Sequence, residues 1–297
     1  MDTIAYVGKK LYHLDRLKEH KRYLFFRCRC WWHKKTINKY LEFFQANPLR
    51  AQLPMSCPAL IEQVTRSFFY HNSTLAERIA LVERHIEILE AKCTPDTVRR
   101  IYVDNKPLTI WTDNYEDKPL TLELHFGAGQ RKEGCLSLNL VYENRPLYQI
   151  MFWLGGTTET PSVYIGALQG IANGEDLIKN LTKAYFGYRT KNLIFYGLRA
   201  FARELGCDTI YAVTNEGYYA MNGIRVDRKL KTDFAKFWAE CEGEPAADKR
   251  FYKIPIAEHR KSMEELKPSK RAQHRRRFEK LDAMDAQIHN EMQKVLN

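Results

Sequence analysis

The spacing of hydrophobic positions changes along the chain and predicts helices first and strands later. In STLAERIALVERHIEILEAK the apolar residues recur every three or four positions, as on one face of an α-helix. The members of this stripe are Leu75, Ile79, Val82, Ile86 and Leu89. Ser73 or Thr74 can cap the helix, and Glu77 follows Thr74 at the spacing of a capping box. Because no convincing strand precedes residue 108, the N-terminal region is predicted to be helical.

After residue 108, apolar and polar residues alternate in three stretches, which is typical of β-strands. The stretches are PLTLELHFG, GCLSLNLVYENRPLYQIMFWLG with a turn at 143–146, and SVYIGALQG. Two helices near 174–184 and 190–205 then precede a strand at Thr209–Val213, and this order needs a crossover to a parallel strand. FAKFWAEC is predicted to be helical and RFYKIPI to be a last strand. The expected fold class is α/β (α+β), with a mixed, largely antiparallel sheet flanked by helices.

The segment from Ala257 onward is polar and helical by propensity. Its apolar positions form only a narrow stripe, made of Phe278, Leu281, Met284 and Ile288. This pattern predicts a basic helix that is not part of the core. The expected organisation is a helical N-terminal region at 1–108, an α/β core at 109–256 and a basic C-terminal helical segment at 257–297.

The net charge of +11 is concentrated in two segments. Residues 16–39 contain nine Lys or Arg against one acid, and residues 267–280 contain seven against one, so the rest of the chain is slightly acidic. No nucleic-acid reading module is recognisable, and nucleic acid is not an expected partner. An anionic lipid or membrane surface is expected instead, contacted by Arg271, Arg275, Arg276 and Arg277. The alternative is a solvated helix that packs across the domain.

The remaining composition indicates a cytoplasmic protein. No run approaches the roughly 18 apolar residues that span a bilayer, and the N-terminus lacks the features of a signal peptide. Seven scattered cysteines fit reduced thiols better than a disulfide framework. Cys28, Cys30 and His33 lack a second pair of ligands, so no metal site is expected. We expect cytoplasmic localisation, with peripheral association at the inner membrane.

The stretch YFGYRTKNLIFYGLRAFARELGCDTIYAVTN, residues 185–215, contains the candidate chemistry. Its helix has one apolar face, formed by Ile194, Leu198, Phe201 and Leu205, with Thr190 as the expected N-cap and Gly206 as the expected stop. Backbone N–H groups at the helix start, with Arg189 and Lys191 beside them, suit a phosphate. Gly187 would let the backbone approach such a ligand closely. In the alternative interpretation, Gly187 only turns the chain and the basic side chains are solvated.

The order of a hairpin, a strand, a glycine and basic loop, a helix, a strand and an Asn resembles acyl-CoA-dependent N-acyltransferases of the GNAT type. The resemblance implies that a pyrophosphate lies on the loop and helix start, and that acyl-CoA lies between splayed strands. It therefore implies a GNAT-like core, with VYIGALQG and TIYAVTN as those strands. Two features differ, because a further predicted helix precedes the loop, and Thr190 and Lys191 stand where a second glycine is usual.

A more specific resemblance covers most of residues 120–290. The motifs that carry it are IGALQG, LTKAYFGYRTKNLIFYGLRAFARELG, AVTN, DFAKFWAE, FYKIP and KPSKRAQHRRRFEKLDAM. Together they resemble the VirK/YbjX family of Gram-negative bacteria. The resemblance implies a role in the cell envelope, through surface display of a virulence protein or resistance to cationic antimicrobial peptides by outer-membrane or lipid A changes. It implies no settled biochemical activity.

Two function hypotheses follow. In the first, the protein is acyltransferase-like and acts in envelope homeostasis with acyl-CoA as its expected donor. The cofactor-binding residues are then Gly187, Arg189, Thr190, Lys191, Asn192 and Asn215. Glu216 and Tyr218, just after the last residue of the motif, are the candidate catalytic groups that border the acceptor as base or acid. In the second hypothesis, the protein is a non-enzymatic factor that docks on a membrane or on an envelope client.

Overall fold

A computed structural model describes residues 3–127, 129, 131–170, 174–221 and 233–297. Within these residues the chain begins with helices, as the hydrophobic pattern predicts for the N-terminal region. They are α1 (Thr3–Leu11), α2 (Leu17–Trp32), α3 (Lys34–Phe43), α4 (Pro48–Ser56), α5 (Ala59–Val64), α6 (Leu75–Lys92) and α7 (Pro95–Tyr102). Helix α6 begins with the predicted capping box, in which Thr74 and Glu77 satisfy each other's backbone N–H groups.

One eight-stranded sheet occupies the middle of the described chain, in the order β1-β2-β3-β4-β5-β6-β8-β7. The strands are β1 (Leu108–Tyr115), β2 (Lys118–His125), β3 (Leu136–Tyr142), β4 (Arg145–Gly156), β5 (Pro161–Gly170), β6 (Thr209–Val213), β7 (Glu244–Pro245) and β8 (Phe251–Ile254). Neighbouring strands are antiparallel except β5 and β6, which are parallel. The predicted mixed, largely antiparallel sheet is therefore confirmed.

The hairpin between β3 and β4 turns at the predicted place. Glu143 and Asn144 both have positive φ, 48° and 64°. This conformation suits a two-residue hairpin turn, because its twist matches the twist of the flanking strands. The turn brings the buried residues of β3 beside those of β4, in the centre of the sheet.

The predicted crossover from β5 to β6 is made by α8 (Glu175–Ala184) and α9 (Thr190–Glu204). The apolar face predicted for α9 is buried, and Phe201 contacts Phe152 of β4 with ring centroids 5.8 Å apart. Gly206 has a φ of 72° and ends the helix as predicted. Gly197 lies where the sheet and another helix approach: a Cβ there would be 2.3 Å from Leu122 Cδ1 and 3.0 Å from Met284 Cε. A larger residue at 197 would require the side chains of Leu122 and Met284 to shift.

The helix that supplies Met284 is α11 (Pro268–Gln293), and it corrects the prediction that the C-terminal helix lies outside the core. Leu281, Met284 and Ile288 are at most 2% exposed, because α11 packs against α9 and β1. Polar side chains are paired across this contact, since Asp285 accepts hydrogen bonds from Tyr196 and from Arg203. A narrow apolar stripe is therefore enough for burial when the flanking charges have partners.

Candidate functional site

Strands β5 and β6 pair over only part of their length. The parallel register runs from Ser162–Thr209 to Ile165–Ala212, after which β5 continues to Gly170 with β4 alone as its partner. Gly166, where the β4–β5 register shifts, is the extra residue of a bulge. Bulges bend a strand and are common beside functional sites. The carboxyl ends of β5 and β6 therefore leave an opening that neither strand fills.

Glu133 occupies this opening. A Cβ on Gly166 would be 1.9 Å from the Glu133 carbonyl oxygen, so the missing side chain of Gly166 admits the backbone of residue 133. The Glu133 carboxylate accepts a hydrogen bond of 2.5 Å from the Tyr218 hydroxyl. It also accepts two bonds of 3.0 Å from the side-chain amide of Gln169, which is exposed. Glu133 and Tyr218 are only 6% and 7% exposed, so the pair lies one side chain below the surface.

Burial shifts both partners toward their protonated forms. It raises the pKa of Glu133 above its ordinary value, although hydrogen bonds from Tyr218 and Gln169 oppose that shift. Burial, with the adjacent Glu133 carboxylate, raises the pKa of Tyr218 far above its usual range. The Tyr218 phenol therefore stays protonated at neutral pH. When Glu133 accepts a proton, the adjacent negative charge is lost, and Tyr218 becomes a better proton donor. Such a pair is suited to acid–base chemistry.

An aromatic groove of about 410 Å³ backs onto this pair. Tyr70, Trp153, Tyr164 and Phe251 form its apolar walls, and Arg84, Arg250, Glu77 and Asp248 form its charged rim. Tyr70 makes a backbone bridge with Tyr218, and its ring packs against Trp153. A Cβ on Gly166 would be 3.1 Å from the Trp153 ring. Tyr70 and Trp153 therefore separate the groove from the Glu133–Tyr218 pair by one layer of side chains.

The glycine of the candidate phosphate loop has a structural role. Phe186 and Gly187 have φ values of 51° and 78°, and the Gly187 N–H donates to the Thr182 carbonyl at 2.8 Å, which ends α8. Helix α11 covers the turn, since Gln273 and Arg277 both donate to the Phe186 carbonyl. The N–H of Gly187 is therefore already used inside the protein.

The start of α9 differs by one residue from the prediction. Arg189 is the N-cap and Thr190 the first helical residue, because the Arg189 carbonyl already accepts from the N–H groups of Asn192 and Leu193. The prediction of Thr190 as N-cap is wrong for this reason. Thr190 is fully buried, and the side-chain oxygen of Asn192 is buried without a hydrogen-bond partner among the described residues.

The two basic side chains of the loop remain near the helix start. Arg189 pairs with Glu240 of α10 (Phe234–Glu240) at 2.5 Å, and both groups are partly exposed. The Lys191 ammonium lies 3.7 Å from the centroid of the Phe237 ring, and burial lowers its pKa. Arg189 is therefore engaged by Glu240, Lys191 lies against Phe237, and the N–H of Gly187 is already donated to the Thr182 carbonyl.

The residues after β6 divide into two groups. Asn215 fixes the start of α10, because its side-chain oxygen accepts from the Phe234 N–H at 2.8 Å and its amide donates to Asp233 at 3.0 Å. Glu216 is exposed on the following turn. Of the two proposed catalytic groups, only Tyr218 lies in the opening between β5 and β6.

The four C-terminal arginines also divide. Arg271 donates to the Leu266 carbonyl at 3.1 Å, and Arg277 donates to the Phe186 carbonyl at 2.7 Å. Arg275 and Arg276 are exposed on α11. Two of the four therefore hold α11 and the segment that precedes it in place. The other two are exposed to solvent, where the predicted anionic surface would contact them.

Sequence reasoning did not identify Glu133 or Gln169. Glu133 stands alone between Lys132 and Gly134, and Gln169 is the last residue but one of a strand, so neither position belongs to a catalytic spacing pattern. Glu133 meets Tyr218 across 85 residues of chain, and only the fold brings the two together. A glycine at 166, inside an otherwise apolar strand, was the one local signal of a close approach.

Comparison with known proteins gives a family and no activity. A family model described as "Protein of unknown function (DUF535)" matches residues 15–290. The chain is 29% identical over 241 residues to the uncharacterized protein YbjX of Escherichia coli (strain K12), which covers 78% of this chain and 71% of that protein. It is 23% identical over 280 residues to an uncharacterized protein of Haemophilus influenzae, covering 93% and 91%. No solved structure matches. The family predicted from the sequence motifs is confirmed.

Proposed function

The chain belongs to the DUF535 family, and from that premise we propose that it is an acyltransferase-like protein of cell-envelope homeostasis. The observation that supports the proposal is the buried Glu133–Tyr218 hydrogen bond at the opening between the parallel strands β5 and β6. A carboxyl group with a raised pKa beside a phenol that stays protonated supplies one proton acceptor and one proton donor. Transfer of an acyl group to an amine or hydroxyl is accelerated by both.

In this proposal the two residues have separate roles. Glu133 takes the proton from the attacking amine or hydroxyl, and Tyr218 gives its proton to the sulfur that leaves when the thioester bond breaks. Glu133 can afterwards pass its proton back along the hydrogen bond to Tyr218. The expected donor, acyl-CoA, supplies the activated thioester. Gln169 orients the carboxylate by donating to both of its oxygens.

The surroundings of the pair suggest where the substrates bind. The apolar walls of the aromatic groove suit an acyl chain, and its charged rim suits a polar head group. Since Tyr70 and Trp153 separate the groove from the pair, one of these two side chains must move for a thioester bound there to reach Glu133 and Tyr218. Arg189 and Lys191 are the residues that would hold the donor's diphosphate, with Arg189 exchanging Glu240 for phosphate. The resemblance to the VirK/YbjX family suggests that the acceptor is an envelope lipid or an envelope client protein.

Thiol release from acyl-CoA tests the proposal. We expect wild-type protein to release thiol from acyl-CoA in the presence of an amine or hydroxyl acceptor. Tyr218→Phe and Glu133→Gln should each lower the rate by about 100-fold or more, as for other acid–base groups. Tyr142→Phe is the matched control, since Tyr142 is 6% exposed and donates to a backbone carbonyl far from the opening. Equal rates in all three variants would refute the assignment.

Donor binding has a separate readout. Because a ligand that binds the native state stabilises it, acyl-CoA should raise the melting temperature of the protein. Arg189→Ala with Lys191→Ala should remove that gain without unfolding the chain, since both side chains are partly exposed. No shift with any acyl-CoA at millimolar concentration would contradict the donor assignment and favour the second candidate, a non-enzymatic factor.

A further inference from the structure

Helix α2 presents an unusual set of side chains to solvent. Among the described residues, all of the strongly exposed large hydrophobic side chains belong to this one helix. They are Leu17 (85% exposed), Leu24 (59%), Phe25 (65%), Trp31 (73%) and Trp32 (78%). Single exposed apolar residues are ordinary on a protein surface, but a cluster of five with two tryptophans marks a contact surface.

These five side chains form one face of the helix. Their spacing of i, i+7, i+8, i+14 and i+15 returns to the same side of a helix with 3.6 residues per turn. The opposite side is anchored in the protein by Phe26 (0% exposed) and Cys30 (5%). The ring of Phe26 packs against that of Tyr12, with the ring centroids 6.0 Å apart. The packing that holds α2 in place therefore does not use the outer face, which is available to a partner.

The outer face is framed by positive charge. Lys18, Lys21 and Arg22 are exposed on α2, and Lys34 and Lys35 continue the basic surface at the start of α3. The one acid of α2, Glu19, is paired with Arg22 at 2.6 Å. Lysine stems can lie along an apolar surface while their ammonium groups reach a polar layer.

The geometry points to an anionic lipid bilayer as the partner, with α2 lying in the plane of the headgroups. Leucine, phenylalanine and tryptophan on one face, with lysine and arginine beside them, is the composition of helices that bind in the membrane interface. No helix within the described part of the chain is long and apolar enough to cross a membrane. Tryptophan is favoured at the headgroup level because its ring is apolar and its N–H is polar.

A second copy of the chain fits this face less well. A symmetric pair would place the same surface of each copy opposite itself, so the exposed lysines of one α2 would face those of the other. Lysines that face each other across such an interface oppose association, whereas anionic headgroups attract these lysines. This inference is independent of the acid–base pair, because α2 has no residue in that site.

The five tryptophans provide a direct readout. Trp31 and Trp32 are exposed, while Trp111, Trp153 and Trp238 are at most 4% exposed. A shift of tryptophan emission on vesicle binding would therefore report on α2. Cys28 lies on the same outer face and is the one exposed cysteine of the seven, so an environment-sensitive thiol dye on it gives a second report.

We expect the full chain to sediment with phosphatidylglycerol vesicles and not with phosphatidylcholine vesicles, and its tryptophan emission to shift to shorter wavelength. Binding should weaken as the salt concentration rises, because screening limits the range of these charges to about 8 Å at physiological ionic strength. Leu24→Ser with Phe25→Ser keeps both tryptophans and should weaken binding at least about tenfold, since each side chain withdraws on the order of 100 Å² of apolar surface from water. Lys18→Gln with Lys21→Gln should weaken it about fivefold per charge.

Arg275→Gln with Arg276→Gln is the control for the other basic surface. It should leave vesicle binding within about twofold, because these residues lie on α11. Loss of binding in this control, with full binding in the α2 variants, would overturn the inference and assign the membrane contact to the C-terminal helix. Equal binding to neutral vesicles, or self-association in solution that the Leu24→Ser/Phe25→Ser variant abolishes, would also overturn it.

Discussion

Acidification should destabilise the protein through one buried histidine. His85 of α6 has no exposed surface, and its Nδ1 accepts the Leu154 N–H of β4 at 3.0 Å. Its Nε2 lies 2.7 Å from the Tyr102 hydroxyl, which itself donates to the Cys135 carbonyl at 2.7 Å. Nε2 must therefore carry the proton, and Nδ1 must stay unprotonated. The folded state has no place for a second proton on this ring.

The size of the effect follows from the pKa of His85, which burial lowers from 6.5 to about 3. Because the folded pKa is depressed, the stability is fully present above the unfolded pKa and is lost as the pH falls below it. Between pH 7 and pH 5 the unfolded chain takes up a proton that the folded chain refuses. At about 1.4 kcal/mol per pKa unit, this difference lowers the free energy of unfolding by about 2 kcal/mol.

Urea unfolding of wild type and His85→Gln at pH 7 and pH 5 isolates this contribution, because the other titrating groups are common to both proteins. The amide of Gln can donate and accept but does not titrate. We expect His85→Gln to be less stable by about 1–3 kcal/mol at pH 7, since the replacement hydrogen bonds are imperfect. The difference should shrink by about 2 kcal/mol at pH 5. Parallel pH dependences of the two proteins would refute the reasoning.

Two further changes test individual contacts. Glu240→Gln should tighten the binding of CoA, measured by calorimetry, because it frees Arg189 from its present partner; unchanged or weaker binding would exclude Arg189 as the diphosphate ligand. Arg277→Gln should lower the free energy of unfolding by about 1.5–3 kcal/mol, because a charged donor to the Phe186 carbonyl is lost. Arg276→Gln, its exposed neighbour, should change the unfolding free energy by less than about 0.5 kcal/mol. Equal effects of the two arginine variants would mean that the contact to Phe186 contributes nothing.

Elements with local signals could be predicted from the sequence. The capping box of Thr74 and Glu77 fixes the start of α6, and strand β6 has the predicted bounds, Thr209–Val213. The burial of α11 could not be predicted in the same way, because it depends on partners far along the chain. Asp285 is a charged residue in the sequence, but Tyr196 and Arg203 satisfy it in the fold.

The residues of the candidate site also differ in whether they could be predicted from the sequence. Tyr218 could be selected because it follows a strand end at the place where an acyltransferase resemblance needs an acid. Its partner could not, because Glu133 is one of many isolated glutamates until the bulge at Gly166 makes room for it. Likewise, the sequence around Gly187 is compatible with either a tight turn or a ligand-binding loop. The structure has the turn, because the Gly187 N–H donates to the Thr182 carbonyl.

The pH dependence of thiol release from acyl-CoA, in wild type and Glu133→Gln, tests the proposed acid–base pair most directly. The wild-type rate should rise with pH through an apparent pKa above 4.5, the ordinary value for glutamate, because Glu133 must lose its proton to act as a base. The rate should not fall at moderately alkaline pH, since Tyr218 keeps its proton. In Glu133→Gln the rise should disappear and the rate should be low throughout. A Glu133→Gln profile that keeps the wild-type rise and rate would contradict the assignment of Glu133 as the base.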